Sequence, residues 1–380
     1  MTQFLVIFDT CQRPEYYQDL HNLLALPAGT IVRYEYRSKY IADDALDLFE
    51  QGKVSGVDVL LAYAEYSGYS RGDGVTYAPK HDETKAIVST RIAKVVSSQP
   101  LSGTQGNLKY TIDLELAGYP SHQPARLARI VSDLESREST PWDKWVGLSK
   151  LRADFTEIST NDPDNWASVV DQLALSRTQF ADDVFWRIDR VCTGNGSIVV
   201  CPTRLKSPTD PYGFNESRFE FLLNEGRVYS IHLESHTPSG VGPRDQNQIG
   251  ITIDNKNALN LIGLDKIDLR QYTRREIRVA TKRTDLLDAN HAIVHIETAL
   301  QAGANSNWPK GASISLPLKI RKSINLLLGS LLLMSLGILI STFAAKYASG
   351  AVATLGYGLL GAIVFSAGMA LHSGRLTLKS

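Results

Sequence analysis

The chain has 380 residues, and its 40 Lys and Arg balance its 40 Asp and Glu, so the formal charge at pH 7 is zero. A protein held to nucleic acid by bulk charge carries a basic excess, so no bulk nucleic-acid binding is expected, and only a local basic site is compatible with this balance. The three cysteines, Cys11, Cys192 and Cys201, match no disulfide or metal spacing and fit a reducing compartment.

In chain order, Phe4 to Phe8 is a continuous apolar run, the pattern of a strand buried on both faces. It ends at Asp9, too early for a signal-peptide core, and no basic region precedes it. Pro14 and Glu15 open a helix in which Tyr16, Leu20, Leu23 and Leu24 recur at helical spacing, closed by Pro27-Ala28-Gly29. Ile31 to Tyr36 is a second strand. Asp43 or Asp44 caps a short helix carrying Leu46 and Phe49, and Val57 to Tyr63 is a third strand. This alternation predicts an α/β domain over residues 1–160 with a parallel or mixed sheet. Ala86 to Val96 and the alternating Leu108 to Leu116 add an antiparallel pair around the loop SSQPLSGTQG. Helices are expected near Arg126–Glu135 and Asp164–Phe180, the second close to a domain boundary.

The domain over residues 161–318 opens with that second helix, and from Asp183 to Leu318 it continues as short strands and turns, which predicts an antiparallel sandwich or barrel. Thr193-Gly194-Asn195-Gly196 is a hairpin turn, and Asn224-Glu225-Gly226 is expected to be a three-residue hairpin loop with Gly226 left-handed. Pro317 suits an edge strand. The pairs His232/His236 and His291/His295 are each four apart on a strand. They are therefore ~13 Å apart and cannot chelate one ion by themselves, so no metal site is expected.

The last segment, 319–380, holds two uncharged stretches, Ile324–Ala345 and Ala351–Ser373, each with the ~20 apolar residues of a membrane span. They predict a transmembrane hairpin. Lys319, Arg321 and Lys322 before it and Arg375 and Lys379 after it place both termini in the cytoplasm of a multi-pass protein of the inner or plasma membrane. Gly356-Tyr357-Gly358-Leu359-Leu360-Gly361 has the letters of a dinucleotide fingerprint, but it lies inside a span rather than between a strand and a soluble helix. Gly358, Ala362 and Ser366 belong instead to a row of small residues at four-residue spacing. Such a row packs a helix closely, either on the first span or on a second copy of the chain.

Gly68-Tyr69-Ser70-Arg71-Gly72 matches a hydrolase nucleophile elbow, but loop residues follow it where a helix is required. The better candidate site is the set of loops after the first three strands, with Arg13, then Arg37, Lys39 and Tyr40, then Tyr69, Ser70 and Arg71. If the strands are parallel, these loops meet at one sheet edge, where cations clamp phosphate and tyrosines stack on a base. The architecture predicts a membrane-anchored sensor or effector that binds a small anionic, nucleotide-like ligand and acts through its hairpin, with homo-oligomers formed through the second span. The alternatives are a membrane-tethered hydrolase or nucleotide-processing enzyme, and a structural adaptor for a protein partner. No cofactor is identified from the residues.

Overall fold

The computed structural model describes residues 3–9, 14–66, 84–101, 108–137, 144–160, 165–176, 185–199, 221–238, 248–268, 274–282, 291–299, 311–321, 324–347 and 349–372. Strand β1 (Phe4–Asp9) is buried along its whole length. Leu5 and Ile7 enter one core, while Phe4, Val6 and Phe8 enter another on the opposite face. That two-sided burial is why the strand carries no polar alternation.

The N-terminal sheet is mixed. It comprises β1, β2 (Ile31–Arg37), β3 (Asp58–Tyr66), β4 (Thr84–Leu101), β5 (Lys109–Leu116) and β6 (Val146–Ser149), in the order β2-β5-β4-β3-β1-β6. Only β1 and β3 pair in parallel; every other neighbouring pair is antiparallel. Strand β2 is therefore not a parallel neighbour of β1. It lies at the far edge against β5 and runs opposite to β1 and β3. The sheet curls, however, and Ile41, just after β2, makes a parallel bridge to Val146 in β6. The two edges meet there, and the sheet approaches a barrel.

Helix α1 (Pro14–Ala25) and helix α2 (Asp43–Glu50) supply Leu23, Ala45 and Phe49 to the core on the Leu5 face. Helices α3 (Pro124–Glu135) and α4 (Arg152–Ile158) cover the Phe4 face. Strand β4 is longer than the sequence suggests: residues 97–101, expected as loop, pair with β5 beyond a register shift between Val95 and Ser97. The ladder bonds outweigh the weak strand preference of Ser, Gln and Pro, and the irregularity allows the long strand to bend. Helix α5 (Asn165–Ser176) packs on β4.

Two further sheets follow. One contains β12 (Lys266–Asp268), β10 (Gln248–Ile253), β14 (His291–Ala299), β15 (Gly311–Arg321) and β8 (Phe221–Asn224); the other contains β11 (Leu259–Ile262), β13 (Arg274–Thr281), β9 (Val228–His236) and β7 (Phe185–Thr193). All pairs are antiparallel except β8 with β15. The turn at Gly196 forms as expected, with φ of 83° and Cys192 bridged to Ile198. Gly226 is left-handed at 67°, but it does not close a hairpin. Strands β8 and β9 belong to different sheets, so the turn crosses between them. Periodicity and turn residues are identical for a hairpin and a crossing, and only the long-range partners distinguish the two. Pro317 also differs from expectation. Strand β15 lies inside its sheet, and Pro317 pairs with Ile293 just before the β8 contact begins at Leu318. Among the described residues, its missing donor therefore falls where no β8 residue is registered against it.

Strand β15 ends at Arg321 and helix α6 (Ile324–Tyr347) begins after two intervening residues; α7 (Ala351–His372) folds back along it. Glycine makes this contact close. A Cβ at Gly337 would lie 2.6 Å from the Phe365 nitrogen and 2.7 Å from the Gly361 oxygen, and one at Gly368 would lie 2.8 Å from the Met334 nitrogen. Over Ala353–Ala370, α7 is long and apolar enough to cross a membrane, and 11% of that stretch is buried; the corresponding apolar stretch of α6, Leu328–Phe343, is shorter.

Candidate functional site

The carboxyl end of β1 carries Asp9, which shares the inward parity of Leu5 and Ile7 and is buried. The Tyr34 hydroxyl of β2 donates to Asp9 Oδ2 at 3.1 Å. Burial, reinforced by the charge of Asp19 on α1, raises the Asp9 carboxyl to about 7, and the Tyr34 bond only partly opposes this. The Tyr34 phenol is itself pushed well up by burial and by Asp9. Tyr34 and Tyr36 stack with centroids 6.0 Å apart. A carboxyl with this balance exchanges its proton near neutrality, so it can act as a general acid or base or as a proton-linked element.

The curl of the sheet brings the segment after β2 toward this end. Trp145 N–H donates to the Tyr40 carbonyl at 2.7 Å, and Phe8 N–H donates to the Trp145 carbonyl at 2.9 Å. Tyr40 is thus two strand spacings, ~10 Å, from Phe8. The Tyr40 ring meets Trp145 edge-on at 6.4 Å, and the Lys39 ammonium lies 4.8 Å from the Tyr40 centroid. Arg37 is exposed at the end of β2. Tyr40, with Lys39 against its ring, therefore reaches the end of β1 by closure of the curled sheet rather than through three parallel neighbours, while Arg37 is placed only by its pairing with Lys109 in β5. Arg13, Tyr69, Ser70 and Arg71 lie outside the described residues. Among the described residues, no group of three or more His, Cys, Asp or Glu side chains could hold a metal ion.

Beside the Asp9 end, a second polar cluster fixes α1. This helix has no basic residue in its last turn, and its final carbonyls are capped from elsewhere. The buried Arg91 donates to the Leu23 carbonyl at 3.0 Å and the Ala117 carbonyl at 2.8 Å; Tyr119 and Trp166 donate to the Leu24 carbonyl at 2.7 and 3.1 Å. A cation at the negative end of a helix is favourable, and here it also satisfies groups the helix leaves unpaired. The Arg91 guanidinium lies 3.9 Å from the Tyr119 centroid, and Arg187 of β7 lies 4.7 Å from that of Trp166. Arg187 pairs with Glu234, and His236 pairs with Asp171 at 2.9 Å. On its other side α1 reaches β7: His21, buried and lowered to about 4 by that burial, meets the Trp186 ring at 5.1 Å. Sequence reasoning missed Arg91, Tyr119 and Arg187 because an arginine in a strand carries no sign of an inward partner.

Of the small-residue row of α7, Gly358, Ala362 and Ser366 do not make the helix–helix contact. Ala362 and Ser366 are exposed, and a Cβ on Gly358 would meet nothing within 4 Å. The residues against α6 are Gly361 and Gly368. No protein-family model matches this chain, and no curated protein matches it either.

Proposed function

We propose that this protein is a membrane-anchored sensor or effector whose cytoplasmic part binds a small anionic, nucleotide-like ligand at the β1 end and biases the packing of its hairpin. The observation that carries this reading is a continuous mechanical connection. Asp9 faces α1, α1 packs on β7 and β15, and β15 enters α6 after two residues. A ligand acts through such a connection only if its affinity differs between two hairpin arrangements. Arg37, Lys39 and the Tyr40–Trp145 pair offer cations and a stacking surface of the kind such a ligand uses.

Both helices cross the inner or plasma membrane in this proposal. Among the described residues, fifteen of the nineteen exposed large apolar side chains belong to α6 and α7, a surface that water would not leave bare. Hydroxyls on these helices turn inward: Ser335, Thr342 and Thr354 donate to the carbonyls four residues back, at 2.8, 2.8 and 3.1 Å. That removes unpaired donors from a lipid-facing surface. The outward row of Gly358, Ala362 and Ser366 then serves self-association.

The test uses the full chain in detergent, screened against a nucleotide panel by thermal shift, with impermeant thiol labelling in cells for topology. A stabilising nucleotide whose effect is lost in R37Q/K39Q, together with labelling of S349C but not S380C, is expected. No stabilisation by any anionic ligand overturns the sensor reading, and labelling of S380C alone overturns the topology. A second reading, a membrane-tethered hydrolase or nucleotide-processing enzyme, is favoured by Asp9 alone, whose proton exchanges near neutrality. It requires turnover that Asp9→Asn abolishes.

A further inference from the structure

We infer that the end of the sandwich next to the hairpin is a binding surface for anionic phospholipid headgroups. This inference rests on the membrane reading of the hairpin. The register of the two sheets gathers Arg227, Lys256, Lys282, Lys319 and Arg321 at that end, although they come from four separate parts of the sequence. Glu225 N–H donates to the Arg321 carbonyl at 3.0 Å, Gly226 N–H to the Thr281 carbonyl at 3.1 Å, and Lys282 N–H to the Ala258 carbonyl at 2.9 Å. The Lys282 ammonium donates to the Lys256 carbonyl at 2.7 Å. The Asn255 amide donates to the His291 carbonyl at 2.8 Å, and His291 stands opposite Lys319.

Arg227, Lys256 and Arg321 are exposed, and Lys282 and Lys319 are half-buried. The acids among the described residues of this end are Glu225 and Asp254, and the Asp254 carboxylate already accepts the Ile293 N–H at 2.6 Å. The cations therefore outnumber the acids in a chain whose total charge is zero. From Arg321 to Ile324 is three residue steps, at most ~11 Å, and the Debye length at physiological salt is about 8 Å. Lys319 and Arg321 flank the first span in sequence, but Arg227, Lys256 and Lys282 join them only through the sandwich register. Charge and position together fit the anionic leaflet in which the chain's own hairpin sits.

The experiment is hydrogen exchange of the full chain in nanodiscs of phosphatidylcholine, titrated with phosphatidylglycerol. Each basic residue near an anionic surface is worth about a fivefold gain in affinity, so R227Q/K256Q/K282Q should weaken the interaction about a hundredfold. In the parent, amides of 224–227 and 254–258 should slow severalfold with phosphatidylglycerol and recover at high salt; in the triple variant they should not respond. If the triple variant does not fold, K256Q alone should require about five times more anionic lipid for the same slowing. Equal exchange in both lipids, an unaltered response in the variants, or the same slowing produced by inorganic phosphate in phosphatidylcholine discs overturns the proposal. Alkaline carbonate extraction separates the two failures. A chain it removes from membranes refutes the membrane reading, whereas a chain that stays embedded without the lipid response refutes only the headgroup surface.

Discussion

Replacing Asp9 by asparagine should raise stability at neutral pH and flatten its pH dependence. The carboxyl is raised from an ordinary value of 3.8 to about 7 in the folded chain. A raised carboxyl binds its proton more tightly folded than unfolded, so its contribution is fully present below pH 3.8 and lost as pH rises to about 7. Each pH unit in that window costs about 1.4 kcal/mol, which makes the full loss about 4 kcal/mol, and about 3 kcal/mol of it falls between pH 5 and pH 7. Asparagine keeps the shape and can accept the Tyr34 hydrogen bond, but it never ionises. Thermal unfolding of the full chain and the D9N variant in detergent, compared from about pH 5 to about pH 8, isolates the residue because all other groups are shared. The gap in favour of D9N should widen toward pH 7 and stay level above it. A gap that is constant with pH, or a D9N chain less stable at pH 8, would refute the reasoning, because Asp9 would then be an ionised and well-partnered carboxylate.

Arg91→Met should cost about 3 kcal/mol, because it strips two charge-assisted hydrogen bonds from buried carbonyls, and hydrogen exchange should show residues 22–25 of α1 opening first. Arg91→Lys should rescue only part of this, since an ammonium cannot reproduce the fork and the stacking on Tyr119. Gly361→Leu should separate α6 from α7 and expose the chain to proteolysis in membranes, since its Cβ would fall 2.8 Å from the Gly337 oxygen and 3.0 Å from the Ser341 nitrogen. Gly358→Leu with Ala362→Leu should leave the hairpin intact and reduce crosslinked multimers. Unchanged multimers would remove self-association from that face.

The sequence alone determined elements whose signal is local. A five-residue apolar run can only be a doubly buried strand or a fragment of a helix, and Asp9 ends it. Gly196 and Gly226 mark left-handed turns because other residues adopt that backbone at a cost. The apolar length of the C-terminal helices follows from composition. Tertiary structure decided which elements meet. Strand β2 has the same apolar pattern whether it lies beside β1 or beside β5, and the antiparallel ladder with β5 placed it across the sheet. The turn at Gly226 has the same residues whether it joins partners or crosses between sheets. Gly361 differs from Gly358 by three positions on one helix, and only the position of α6 made the first the contact and left the second outside. Arg91 shows the limit most plainly. Its role depends on the carbonyls of a helix some seventy residues earlier, and side-chain type carries no information about a partner that folding alone brings within 3.0 Å.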